Sequence, residues 1–443
     1  MQHSPSSIPV NVPPYAVALA ARAVSASKLV IYAGAGISVS APTSLPSGAG
    51  LAKALHTQLK DVFDVLGGVE EWDLLGVADA VAQLPGGEDA LRQTSARSAN
   101  FRSATPGYAH RVLAHLMLEG AIDVLTTNWD SCIERSCGEE QLPTVTNEHD
   151  LADVTPPWVL KVHGCASRPG TLLVTTDHLA TPPKWVQEQT HARLGSAVVV
   201  FIGIGDVAPY VRQRIVEAID EVGSIDNLRV VSPSISTDWE SSQWKSVAPD
   251  LREEDKIGVS ADQFMEDLGA AYIITRIAEH RLSAGTSLAA KLDDAKNGLF
   301  KSDALTVLQW SRTVDINPRA GESVLKSSEF GKALIALGHL VGASAELKHS
   351  RVFDTSHGPV EILVATQTVP TRRLVEVAEA RLHGHVSRGE PSPLFLVAGG
   401  VGPIPKPEAL PQSIMGDADD ADIVDGPLAL VPNVRHADEV IAS

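Results

Sequence analysis

The first 235 residues alternate between short unbroken apolar runs and stretches of helical periodicity. The runs fall at 28–33, 122–126, 158–162, 197–202 and 228–231, each of the length of a buried strand. Helical patterns lie at 16–26, 51–65, 74–83, 106–119, 175–194 and 208–222. Strands alternating with helices predict parallel βαβ units and an α/β, doubly wound, Rossmann-like parallel sheet with helical insertions. In such a sheet the ligand crevice lies at the carboxyl ends of the strands. The polar signals of this region sit just after strands, at Gly34, Asn128, His163 and Gly203.

From about 262 to 337 the pattern is largely helical, with Ala-rich segments such as 287–295. The last hundred residues change character. Runs at 359–364 and 394–397 read as strands around a helix at 371–382. A Pro- and Asp-rich stretch follows at 402–425, with five Asp between Asp417 and Asp425, and reads as a mobile acidic surface loop. The expected organisation is a lead and helix (1–27), an α/β domain (28–284) and a separate smaller C-terminal α/β or α+β domain (285–443).

With 44% apolar and 20% charged residues over 443 positions, the chain has the composition of a globular protein that buries a core. Its net charge of −18 argues against a general nucleic-acid binder, because counterion release needs clustered cations. Three cysteines exclude a disulfide framework and suggest a reducing compartment. Cys132, Cys137 and Cys165 form no C-x-x-C pair, so no zinc or other metal site is expected. The most apolar window, 194–205, is shorter than the roughly 20 residues of a membrane span. The N-terminus lacks the basic and apolar regions of a signal peptide. A soluble cytoplasmic protein with no membrane partner is the expectation.

Several residues could carry chemistry. Gly34-Ala35-Gly36 after a buried strand has the shape of a phosphate-binding turn. It is equally a tight turn, and position 39 is Val rather than the third glycine of a dinucleotide fingerprint. Thr126-Thr127-Asn128-Trp129-Asp130 follows the second strand, where its side chains could bond a ribose or a water. Asn128 or Asp130 could also cap a helix running to Cys137. His163 closes the third strand and could relay a proton near neutral pH or simply pack. Gly203-Ile204-Gly205-Asp206 ends the most apolar strand, with turn glycines and a helix cap as the plain alternative. Asp177 and His178 read as a helix start, and Glu253-Glu254-Asp255 as a solvated face. No G-x-S-x-G elbow, P-loop or H-E-x-x-H is present.

Taken together and in this order, the motifs resemble the sirtuin family. Gly34-Ala-Gly-Ile-Ser38 is similar to that family's GAGIS loop. Thr126-Thr-Asn-Trp-Asp130, continuing to Glu134-Arg-Ser-Cys-Gly138, is similar to its T-Q-N-I-D segment with the trailing E-R-x-x-G. Val162-His163-Gly164 resembles its H-G, and Gly203-Ile-Gly-Asp206 stands where a glycine-rich strand end meets the nucleotide. The resemblance spans roughly 28–235. The chain departs from the deacylases in lacking two C-x-x-C pairs, in lacking Asp-Phe-Arg after Pro46, and in carrying Thr127 where they have Gln. In these departures it resembles the zinc-free bacterial branch that hydrolyses NAD in antiphage defence.

That resemblance implies an NAD glycohydrolase, with NAD as substrate and nicotinamide and ADP-ribose as products, held off until triggered. It assigns Asn128 to the water and ribose hydroxyls, and His163 to the ribose hydroxyls as base or orienting group. Gly34, Ala35, Gly36 and Ser38 would hold the pyrophosphate, and Gly203 and Gly205 the adenosine side. Thr127, Asp130, Asp206 and Ser232 complete the nucleotide-binding set, Asp130 by ordering the Asn128 loop or contacting the nicotinamide ribose. The domain 28–284 would be catalytic and 285–443 regulatory or an assembly surface, in a homo-oligomer joined by a partner such as a hexameric DNA translocase. The alternatives are a zinc-free NAD-dependent deacylase or ADP-ribosyltransferase, and a non-enzymatic sensor of NAD or ADP-ribose.

Overall fold

A seven-stranded sheet, parallel throughout, organises the first half of the chain. Its strands are β1 (Leu29–Ala33), β2 (Ile122–Thr126), β3 (Thr144–Val145), β4 (Val159–Lys161), β5 (Val198–Ile202), β6 (Leu228–Val231) and β7 (Lys256–Ile257), in the order β3-β4-β2-β1-β5-β6-β7. The computed structural model describes residues 11–25, 29–60, 68–138, 142–195, 198–205, 211–213, 215–217, 227–342, 345–348, 351–366, 368–404 and 432–443. These fall into two units. One comprises Asn11–Thr275 with Ala320–Glu322, and the other holds Arg276–Arg319 and Ser323–Ser443.

In the first unit, β1 and β5 are buried at every position, which is why their sequences are unbroken apolar runs rather than alternating ones. β1 pairs on one side with β2 and on the other with β5, with Leu29 opposite both Ile122 and Val198. Tyr32 lies opposite Phe201 in that register, and their rings stack with centroids 5.0 Å apart. Val30, Leu125, Leu160, Val230 and Trp244 extend the same core. The chain leaves β1 for β2, then returns from β4 to β5 on the opposite side. The topological switch point is therefore between β1 and β5.

Helices Gly48–Leu59, Leu74–Ala82 and Gly87–Arg97 form an insertion with its own core. Leu55, Val77, Val81 and Leu91 pack there with Cys132, Ala166, Leu172 and Trp129, which belong to the loops after β2 and β4. The third of these helices escaped the sequence pattern because its polar face dominates; Gly87, Leu91, Ser95 and Ala96 are its buried residues.

The structure corrects several expectations. The pattern at 175–194 is two helices, Thr176–Ala180 and Lys184–Leu194, separated at Pro182-Pro183, where proline cannot supply a helical N–H. No α-helix runs from Asn128 or Asp130 to Cys137. Asp130 instead accepts the Cys132 N–H in a local turn (3.0 Å), and a 3-10 turn follows at Glu134–Cys137. Asp255 is not on a solvated face: it is buried and paired with the Nε atoms of Arg229 and Arg252, each at 2.7 Å. Strands β3 and β7, at two residues each, are too short to leave a pattern. Asp206, most of the helical pattern at 208–222 and all but the start of the acidic stretch at 402–425 lie outside the described residues.

The second unit carries a mixed sheet of β8 (Glu346–Lys348), β9 (Val352–Asp354), β10 (Val360–Val364), β11 (Leu394–Ala398) and β12 (Asn433–His436), in the order β12-β11-β10-β9-β8. β10, β11 and β12 run parallel, whereas β8 and β9 pair antiparallel. Leu363, Phe395 and Val397 meet Leu374 and Ala378 of helix Thr371–Ser387 in its core. It is thus a separate smaller mixed α/β region, as the sequence pattern indicated. Among the described residues no helix is long and apolar enough to cross a membrane.

Candidate nucleotide site

Two glycine loops meet over the switch point. After β1 the chain makes a 3-10 turn at Ala35–Ser38, and after β5 it turns at Gly203 with φ +66°. The Gly34 N–H donates to Ile202 O (2.9 Å), and the Gly36 N–H donates to Gly203 O (2.8 Å). A Cβ on Gly34 would stand 2.7 Å from Gly203 O, and one on Gly203 would stand 2.7 Å from Ile37 N. These glycines therefore answer first to each other, which the phosphate-turn reading of the sequence did not contain. Gly205 differs: a Cβ there would meet nothing within 4 Å. Ala35, Gly36 and Gly205 are exposed at this rim.

Ser38 is the hub of a buried network below the rim. Its Oγ receives the Asn128 Nδ2–H (3.1 Å), lies 3.0 Å from His110 Nε2 and donates to Asp130 Oδ2 (2.9 Å). The tautomer follows from geometry. His110 Nδ1 accepts the Gly107 N–H (3.1 Å), so the proton of the neutral ring is on Nε2 and points at Ser38. Burial lowers the His110 pKa, which keeps the ring neutral. Burial pushes the Asp130 carboxyl up, but the Lys161 ammonium and the hydrogen bonds from Cys132 and Ser38 outweigh it and hold Asp130 below the usual carboxylate range. Asn128 is 4% exposed, and its Oδ1 is buried without a hydrogen-bond partner.

Beneath this segment lies Lys161, the last residue of β4. Its Nζ donates to the backbone oxygens of Asn128 (3.1 Å) and Asp130, and pairs with Glu134 Oε1 at 3.1 Å. His163, two residues on, is half-buried with its Nε2 inside the protein. Burial pushes its pKa down to about 4, so it is neutral at pH 7. Its backbone is fixed on both sides. The Val162 N–H donates to Thr126 O (3.0 Å), and Gly164 turns with φ +81° where a Cβ would strike Thr171 O. Thr127 follows β2 and donates its N–H to Ala33 O (3.1 Å); Ser232 follows β6 and donates to Ile257 O (3.1 Å).

His110, Asp130 and Cys132 form a close group of metal-ligand types. Both imidazole nitrogens and both carboxylate oxygens in it already face protein partners. The Cys132 thiol is pushed up by burial and Asp130, and donates to Ala104 O. The group is a closed hydrogen-bond network.

Of the residues singled out in the sequence, Ser38, Asn128 and Asp130 are brought into direct contact. His163, Thr127, Gly203, Gly205 and Ser232 share the carboxyl-end rim of the sheet. His110, Lys161 and Glu134 were not read as site residues. Signals pointed to two of them: a lysine inside the apolar run at 158–162, and a histidine three residues after Gly107 at a helix start.

The fold and the site together define a Rossmann-like α/β protein with a buried polar network at the carboxyl ends of β1 and β2. Residues 123–255 match a family described as the SIR2-like domain. No curated protein matches the chain. Similar solved structures include a Sir2 homologue–NAD complex, with 18% identity over 57% of this chain and 91% of that one, at a TM-score of 0.33. Two mutants of a Sir2 homologue in complex with ADP-ribose are 14% and 15% identical over 58% of this chain and 96% of each, with TM-scores of 0.33 and 0.36.

Proposed function

We propose that the first unit is an NAD hydrolase, cleaving the nicotinamide–ribose bond to release nicotinamide and ADP-ribose. The observation that carries this reading is Asn128: buried, fixed through Nδ2 on Ser38, and presenting an unpartnered Oδ1 at the carboxyl end of β2. A buried amide oxygen without a partner is costly, by about 1–3 kcal/mol, and a ribose hydroxyl or an attacking water would satisfy it. The match of 123–255 to the SIR2-like domain supports the same reading.

The chemistry suits these groups. Most glycosidic cleavage needs a carboxylic acid to protonate the leaving group. Nicotinamide in NAD is a cationic pyridinium that leaves neutral, so no acid is required. The site has to hold the ribose, tolerate developing positive charge and admit water. Neutral His163 accepts a hydroxyl proton or orients that hydroxyl, and ionised Asp130 is linked to the Asn128 anchor by two hydrogen bonds that share Ser38 Oγ. Water adds to the ribosyl cation, one proton is released, and the products are nicotinamide and ADP-ribose. The rim at Ala35, Gly36 and Gly205 takes the pyrophosphate and adenosine side. The second unit, with its own sheet and core, serves regulation or assembly of a triggered, defence-type activity.

Single acid–base or orienting groups typically contribute about 10²–10⁴-fold. Asn128→Ala and His163→Ala are each expected to lower nicotinamide release by at least that lower bound while calorimetry still detects NAD binding. Near-normal turnover in either variant removes that residue from the assignment.

A further inference from the structure

We propose that Lys161 is a positioning residue that sets Asn128 by holding the backbone on both sides of Trp129. The inference rests on the hydrolase reading for its catalytic consequence, and on geometry alone for the strut itself. Lys161 ends β4 with 1% of its side chain exposed. An ammonium has three N–H donors. Here three acceptors meet it: Asn128 O, Asp130 O and Glu134 Oε1. No donor remains for a ligand, so Lys161 does not bind a phosphate. It pins the carbonyls of the two residues whose side chains meet at Ser38. Glu134, in the 3-10 turn that follows, closes the loop onto the same ammonium and balances its charge. The pair thus adds no net charge beneath a site that receives a cationic pyridinium.

A buried ion pair adds little net stability over apolar residues of similar volume, whereas removing one partner strands a charge. The informative variant therefore removes both charges. In Lys161→Met/Glu134→Leu, amide exchange of the peptide covering 126–132 is expected to rise at least about tenfold, with β1 and β5 peptides unchanged. Turnover of NAD is expected to fall about a hundredfold, as for a misplacement of about 1 Å. KM is expected to hold, because the glycine loops are untouched. In an Asn128→Ala background the same double change is expected to add almost no further loss. The proposal is overturned if exchange at 126–132 is unchanged, if it rises equally across the sheet, or if kcat stays within about threefold of wild type while Asn128→Ala is inactive. Should wild type bind NAD without cleaving it, the exchange data still decide the strut, and the hydrolase reading fails by itself.

Discussion

Lowering the pH from 7 to 5 tests His163 directly. An imidazole in water titrates near 6.5, and burial pushes that of His163 down to about 4. At pH 5 an ordinary histidine would be neutral in about 3% of molecules, and His163 in about 90%. If neutral His163 is the working form, kcat/KM for nicotinamide release stays nearly flat from pH 7 to 5 and falls only towards pH 4. An unperturbed imidazole would instead give a loss of about thirtyfold at pH 5. The same shift has a stability consequence of definite sign. The folded ring binds its proton less well than the unfolded one, so no difference exists above about pH 6.5. Stability is then lost as the pH falls, by about 2 kcal/mol at pH 5, and the loss saturates below the folded value. Initial rates at NAD concentrations well below KM give the first quantity. Urea unfolding of wild type and His163→Gln at both pH values gives the second, since other titrating groups cancel in the difference. An acid limb centred near 6.5, or equal losses in the two proteins, would show that His163 titrates as an ordinary imidazole.

Ser38→Ala leaves Asn128 Nδ2, His110 Nε2 and Asp130 Oδ2 without their shared partner. At about 1–3 kcal/mol for each buried group, the expected loss in urea unfolding is at least about 3 kcal/mol, and a loss below about 1 contradicts the hub. Gly203→Ala forces a side chain into a left-handed turn against Ile37 N, and is expected to weaken NAD binding at least tenfold by calorimetry. Unchanged affinity would detach that loop from the site. Asp255→Ala removes the buried carboxylate that pairs with both Arg229 and Arg252, and is expected to cost about 3 kcal/mol. A cost near zero would restore the solvated-face reading of that segment.

Five strands of the first sheet were legible because they lie in mainly apolar runs, and the two buried at every position, β1 and β5, are apolar throughout. The rim residues were legible because polar and glycine positions directly followed those runs. What sequence could not carry was partnership. Nothing local in Pro106-Gly107-Tyr108 says that His110 will face Ser38, 72 positions away. The Lys161–Glu134 pair joins the end of β4 to the 3-10 turn after β2, which become neighbours only once β4 lies beside β2. Asp255 misled for the same reason: three consecutive acidic residues look solvated until Arg229 of β6 arrives beside the third. For Gly34, Gly36 and Gly203 the sequence leaves a ligand cradle and plain turns open, and only the tertiary approach of the two loops reveals their mutual steric requirement.

Whether Asn128 anchors the hydrolysis of NAD is decided by incubating the 443-residue chain with NAD and no other substrate. Nicotinamide and ADP-ribose are followed by chromatography, with Asn128→Ala alongside. The expected result is release of both products in equal amounts by wild type and at least a hundredfold less by the variant. NAD that binds to wild type yet remains intact, or release that proceeds equally in Asn128→Ala, would contradict it.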